Sequence, residues 1–245
     1  MTPRITGATA VRVLLQLRRD PRTVALLIVV PCVLLALFKG LFSSQPDTFN
    51  RVGATLVGIF PLISMFLVTS ITMLRERTTG TLERLMTMPM AKLDLLLGYG
   101  LAFALVAAVQ GTIVSAFAFL VLGLDVAGSA VVVVLLAIAN AVLGMSLGLF
   151  ASAFATTEFQ AVQFMPAFIL PQLLLCGLFV PRDEMARGLE ILAYALPMTY
   201  AFDALDRVAT DGSLGGGGAR DVAITIGATL MALALGAMTM RRRTP

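Results

Sequence analysis

Charged residues divide the chain into uncharged, strongly apolar runs. Between Arg51 and Arg75 lie 23 uncharged residues, between Asp94 and Asp125 lie 30, and between Asp125 and Glu158 lie 32. Between Glu158 and Arg182 lie 23, and between Asp221 and Arg241 lie 19. A helix needs about 20 mainly apolar residues to cross the hydrocarbon core of a bilayer, a length that each run reaches or closely approaches. An earlier stretch has 16 residues between Arg22 and Lys39. It counts as a span because a lysine can lie along apolar surface with its ammonium at the interface, and Leu41 and Phe42 continue the run. The pattern predicts an all-α integral membrane protein, a single domain over residues 1–245 with six transmembrane helices at approximately 24–42, 52–74, 95–122, 129–154, 161–180 and 221–240.

Shorter periodic stretches predict further helices. Thr2-Pro3 suits an N-cap and first turn. Ile5, Ala8, Val11 and Leu15 then share one face, and Arg4, Arg12, Arg18 and Arg19 offer charge to lipid headgroups, the pattern of an amphipathic interfacial helix. After Pro181, Met185, Leu189, Leu192 and Leu196 recur at helical spacing until Pro197, and Ala201, Leu205 and Val208 form a second stripe. Each piece is too short and too charged to span, so the expectation is a short helical hairpin between spans five and six, ending in a flexible Gly215–Gly218 run.

Charge placement gives an orientation. The N-terminal tail, the Arg75–Asp94 loop, the turn at Glu158 and the C-terminal tail hold 12 basic and 5 acidic residues, whereas the opposite segments hold 6 and 9. Basic residues collect on the cytoplasmic side, so both termini are expected there. Composition agrees with lipid as the solvent: 58% of residues are hydrophobic, 13% are charged, and mean hydropathy is +0.94. The net charge of +4 sits beside apolar runs and marks topology, not nucleic-acid binding. No small-residue cleavage site separates the first apolar run from a soluble domain, so that helix is expected to be retained.

Candidate chemistry is sparse. There is no histidine, and Cys32 and Cys176 lie in apolar runs, so neither a metal site nor a disulfide framework is expected. Neither Lys39 nor Lys92 follows a glycine, so the phosphate-binding loop of an ATPase is absent, and no catalytic constellation is found. In the fourth span Asn140, Gly144, Gly148, Ser152 and Thr156 recur every four residues, which suits close helix packing. Gln110, Asn140, Gln160 and Gln163 are the residues offered for a substrate path, and Pro31, Pro61, Pro166 and Pro171 can kink their helices. No Asp or Glu is central in a span, which disfavours ion coupling. The cytoplasmic loop is polar and then amphipathic: Gly80 suits an N-cap, Glu83 the first turn, and Leu82, Leu85 and Met86 an apolar ridge ended by Pro89. Such a helix suits a groove on a soluble partner, while a solvated connecting loop is the alternative.

Glu76-Arg77-Thr78-Thr79-Gly80-Thr81-Leu82-Glu83 followed by Pro89 resembles the loop after span two of ABC-2 type permeases, the family of the daunorubicin-resistance exporters. Gly177-Leu178-Phe179-Val180-Pro181, Glu184-Met185, Leu196-Pro197-Met198-Thr199-Tyr200-Ala201 and Asp203-Ala204-Leu205 resemble that family's signature between spans five and six. One departure is Ala186, where a proline often follows the methionine. The resemblance covers essentially the whole chain. It implies a multi-pass permease of the bacterial inner (cytoplasmic) membrane, working as a homo- or heterodimer with two copies of a stand-alone ATP-binding subunit. ATP and Mg would be held by that partner, with no cofactor or catalysis in this chain. Glu76, Gly80, Thr81, Glu83, Arg84 and Pro89 are the residues it implies for coupling to the ATPase. Pro181, Met185, Pro197, Thr199 and Tyr200 are those implied for an external gate. The expected cargo is a drug or other lipophilic compound. Lipid or glycan export is the alternative, although an absence of Trp and only three Tyr disfavour the aromatic-lined path that suits a sugar, and an ion-coupled secondary transporter is the reading from another class.

Overall fold

The computed structural model describes residues 3–81 and 92–239, and every regular element among them is helical. In chain order these are α1 (Pro3–Arg18), α2 (Pro21–Leu41), α3 (Pro46–Thr78), α4 (Lys92–Leu120), α5 (Ala130–Ala151) and α6 (Glu158–Leu175). A 3₁₀ turn at Arg182–Glu184 leads to α7 (Arg187–Ala195), α8 (Pro197–Thr210) and α9 (Gly215–Thr239). Helix starts follow local chemistry. Asp20 caps α2 by accepting from the Thr23 backbone N–H at 3.2 Å and its hydroxyl at 2.6 Å, and these bonds hold the Asp20 carboxyl below its ordinary pKa. Pro21, Pro46 and Pro197 occupy first-turn positions, where a missing N–H costs nothing.

Five of these helices are long and apolar enough to cross a membrane: α2, α3, residues 97–120 of α4, α5 and α9. The expected fifth span, 161–180, corresponds to α6, whose 18 residues include Gln160, Gln163 and Gln172, and it falls short of that standard. The surface reverses the pattern of a water-soluble protein. Leu97, Leu101, Leu105, Val109 and Ile113 form an exposed stripe along α4, while Gln110, Asn140, Ser115 and Thr69 are buried. Apolar surface of that extent needs lipid or a partner to cover it. The chain is a multi-pass helical membrane protein.

The bundle is organised around α3, which packs against α2, α4, α5, α6 and α8. Its most apolar stretch is 67% buried, against 17% for α2 and 22% for α9 at the periphery. With 33 residues, α3 is about 50 Å long at about 1.5 Å per residue and reaches well past the hydrocarbon core. Its tightest neighbour is α5. A Cβ on Gly144 would lie 2.1 Å from the Leu62 carbonyl oxygen, and one on Gly148 2.2 Å from Thr69 Oγ1. Thr69 also donates to the Met145 carbonyl at 3.2 Å across the same contact. Asn140, Gly144 and Gly148 of the expected small-residue stripe are therefore in contact with α3, where lipid-phase association depends on van der Waals fit, whereas α5 ends at Ala151, with Ser152 as its C-cap and Thr156 beyond it.

One expectation is corrected. The Gly215–Gly218 run is the first turn of α9, with the Gly218 N–H bonded to the Leu214 carbonyl at 2.7 Å. Packing of α9 on α8 and α5 overrides the low helix propensity of glycine. On α1, Ala8, Val11 and Leu15 point outward, and Thr9, Ala10 and Val13 are the buried positions. Thr9 seats against Gly98 of α4, where a Cβ would lie 2.5 Å from the threonine Cβ.

The helix contact yields a test. Gly144→Ala forces a methyl into the Leu62 backbone and is expected to lower stability by about 1–3 kcal/mol. Gly100→Ala, at a helical glycine with open space beside it, is expected to be neutral or to stabilise by up to about 1 kcal/mol. Reversible unfolding in mixed micelles orders the two, and equal effects would contradict the packing described.

Candidate functional site: the inner junction at the end of α3

Three consecutive residues near the C-terminus of α3 point to three different parts of the bundle. Arg75 reaches α6, placing Nε 2.7 Å and Nη2 3.1 Å from the Glu158 carboxylate. Glu76 turns inward, 3% exposed, and accepts the Tyr99 hydroxyl of α4 at 2.8 Å and Arg12 Nη2 of α1 at 3.4 Å. Arg12 also hydrogen-bonds the Tyr99 hydroxyl and lies 5.5 Å from the centre of its ring. Arg77 donates to the Ser152 carbonyl at the C-terminal end of α5, at 3.4 Å. Helical rotation of about 100° per residue separates these directions.

Magnitudes rank the contacts. Arg75 and Glu158 are both more than half exposed, and such pairs contribute about 0–1 kcal/mol in water. Glu76 is different, because an ionised carboxylate deprived of water costs several kcal/mol unless it is paired and hydrogen-bonded. The Arg12–Glu76–Tyr99 cluster is thus the anchor, and the arginines on either side set direction. The sequence pattern offered Arg12 to lipid headgroups; the structure turns it inward. Tyr99, a buried phenol on an apolar helix, was missed, and its only signal was a hydroxyl between Gly98 and Gly100 in an otherwise apolar run.

The residues offered for coupling distribute as follows. Glu76 lies inside the bundle. Gly80, at φ +71°, closes α3 in the left-handed conformation that glycine adopts freely, so its cap role falls at the end of that helix. Thr81 is helical and receives or donates a hydrogen bond with Thr79 at 3.0 Å. Glu83, Arg84 and Pro89 lie outside the described residues.

The residues offered for a path have local duties. Pro31 lacks the N–H that would bond the Leu27 carbonyl, and Gln110 of α4 supplies the substitute donor at 2.8 Å while also bonding Ser64 at 2.5 Å. Asn140 is buried between Gly58 and α8, donating to the Ala201 carbonyl at 3.5 Å. Gln160 accepts from the Thr156 backbone and hydroxyl at the start of α6, and Gln163 is exposed on the same helix. They are not brought together.

At the opposite end, Arg182 makes a two-pronged pair with Asp203 at 2.8 and 2.9 Å, donates to the Cys176 carbonyl at 2.9 Å, and lies over Tyr194. Thr199, fully buried, donates to the Ala193 carbonyl at 2.6 Å, and Tyr200 to the Tyr194 carbonyl at 2.7 Å, closing α8 onto α7. Pro197 starts α8, Met185 is half-buried, and Pro181 is exposed. The motif reading missed the charges here: Asp221 is fully buried on α9, with Arg207 at 3.3 Å and Arg220 at 3.4 Å. Among the described residues no group of three or more His, Cys, Asp or Glu could hold a metal ion.

The profile of the ABC-2 type transporter family matches residues 6–208, and the chain belongs to that family. It is similar to the probable multidrug ABC transporter permease YbhR of Escherichia coli (strain K12), 30% identical over 152 residues, which cover 61% of this chain and 40% of that protein. It is also similar to ABC transporter G family member 20 of Dictyostelium discoideum, 27% identical over 138 residues, 56% of this chain and 19% of that protein. The matched stretch spans less than half the length of either relative.

The buried anchor yields a test. Arg12→Ala leaves Glu76 with Tyr99 alone and is expected to cost about 1–3 kcal/mol, released mainly as detachment of α1. Trypsin should then cut after Arg18 and Arg19 much faster than in the parent protein. Unchanged cleavage would show that the cluster does not hold α1.

Proposed function

We propose that the chain is the permease subunit of an ATP-driven exporter of drugs or other lipophilic compounds, hydrolysing no ATP itself. The observation that carries this reading is the inner junction. The segment that resembles the family's ATPase-docking loop begins inside the last turn of α3, at Glu76 and Arg77 and next to Arg75, so a push on it would reach α1, α4, α5 and α6 through groups already in contact. In this reading two permease copies pair with two ATP-binding subunits, and Glu83, Arg84 and Pro89 meet the ATPase. Pro181, Met185, Pro197, Thr199 and Tyr200 belong to an external gate. Glu158–Leu175 completes a sixth crossing of about 27 Å, leaving both termini cytoplasmic in a bacterial inner membrane.

A lipophilic cargo is supported by the word multidrug in the name of the Escherichia coli relative. Ion coupling finds little support, since the buried carboxylates among the described residues, Glu76, Asp94 and Asp221, all lie near helix ends, and Glu76 and Asp221 are paired with arginines. Glu83→Arg tests the coupling assignment. Co-purification of the cognate ATP-binding subunit is expected to fall about tenfold, the equivalent of about 1.4 kcal/mol, with helical content unchanged. The isolated permease should show no ATPase activity, and full association and transport by the charge-reversed protein would sink the assignment.

A further inference from the structure

Beside the inner junction, α1, α2 and α3 enclose a cleft of about 260 Å³. Val13 and Leu17 of α1, Leu26 of α2, and Leu67, Val68 and Ile71 of α3 form its apolar walls. Asp20, Thr23 and Arg75 supply its charged and capping edge, with Gln16 and Thr72 the other polar residues of the lining. Pockets that enclose a drug-sized molecule measure about 300–1,000 Å³, so this one is too small to swallow an entire such ligand. Its size suits one apolar tail whose head stays outside.

The edge specifies the head. Asp20 offers a carboxylate that Thr23 orients at 2.6 Å, and the oxygens of a carboxylate have lone pairs beyond the two bonds received from Thr23. A guanidinium carries five donors, and Glu158 takes two from Arg75. One edge of the cleft thus presents an anion acceptor and a cation acceptor side by side, above an apolar slot. The complement is an amphiphile with a phosphate and a neighbouring primary ammonium. A choline head covers its ammonium with methyl groups and has no N–H to give Asp20, and a head bearing phosphate alone leaves Asp20 facing a like charge.

We infer that this cleft binds a phosphatidylethanolamine molecule of the surrounding leaflet, with one acyl chain between α1 and α3, its phosphate on Arg75 and its ammonium on Asp20. The inference rests on the membrane placement of α2 and α3, and it is independent of cargo and of ATPase docking. The bound lipid wedges between the interfacial helix and the two spans and shares Arg75 with the Glu158 contact, so its head group sits at the junction.

The experiment uses the full chain in nanodiscs containing a trace of diazirine-bearing phospholipid, with labelled peptides mapped by mass spectrometry. The ethanolamine probe is expected to label the segments around Leu17 and Val68 about tenfold more than the choline probe, the selectivity of roughly one charge-assisted hydrogen bond. Val68→Trp fills the slot and is expected to abolish that labelling, as is Leu26→Trp, whose position is largely exposed and tolerates bulk. Asp20→Asn keeps the α2 cap, because asparagine caps as well as aspartate, and is expected to erase the head-group preference while leaving helical content intact. Equal labelling by both probes in the parent protein, or labelling undiminished by both tryptophans, would overturn the inference. Either result would leave ATPase association untouched, so it is distinguishable from a failure of the exporter reading.

Discussion

A carboxylate withdrawn from water has to be neutralised, and that requirement at Glu76 positions much of the inner end of the bundle. Its partners come from elsewhere: Arg12 from α1 and Tyr99 from α4. The interfacial helix is therefore held against the spans by a polar cluster as well as by apolar packing, and its outward face, with Val11 and Leu15, is left for lipid. Because Arg75 and Arg77 flank the same residue, the ends of α5 and α6 are tied to the same turn of α3.

What makes that turn consequential is the rest of α3. Gly144 and Gly148 let α5 lie directly on its backbone through its middle. Near its other end Gly58 admits Asn140 and Leu205, and Arg51 pairs with Asp206 of α8 at 3.7 Å. One long helix thus joins the inner junction to the α7–α8 hairpin, which is tied to the preceding turn by the half-buried pair of Arg182 and Asp203. In the proposed exporter this gives a push at the cytoplasmic loop a continuous path of packed groups to the outer end.

The helices were largely legible because lipid imposes a simple rule: long uncharged runs have nowhere else to go. The stripe of Asn140, Gly144 and Gly148 was legible for a similar reason, since spacing by four has few uses in a membrane helix. What spacing could not reveal was direction. Arg12 and Glu76 look like surface residues in a list, and only the rotation of α1 and α3 about their axes turns them toward each other. Gln110 resembled a path residue because a buried amide invites function, yet its donor answers the carbonyl that Pro31 leaves open. The glycines at 215–218 misled because propensity is local and the packing that holds α9 is not.

In the proposed exporter the inner junction moves as one body when the ATP-binding partner closes. Spin labels at Arg18 on α1 and Thr78 on α3, with a second pair at Thr78 and Asp125 across the bundle, report on it through electron–electron distance measurements in the reconstituted complex. The account predicts that the Arg18–Thr78 distance stays constant on adding ATP while the Thr78–Asp125 distance shifts. A change in the first distance with the second unchanged would contradict it.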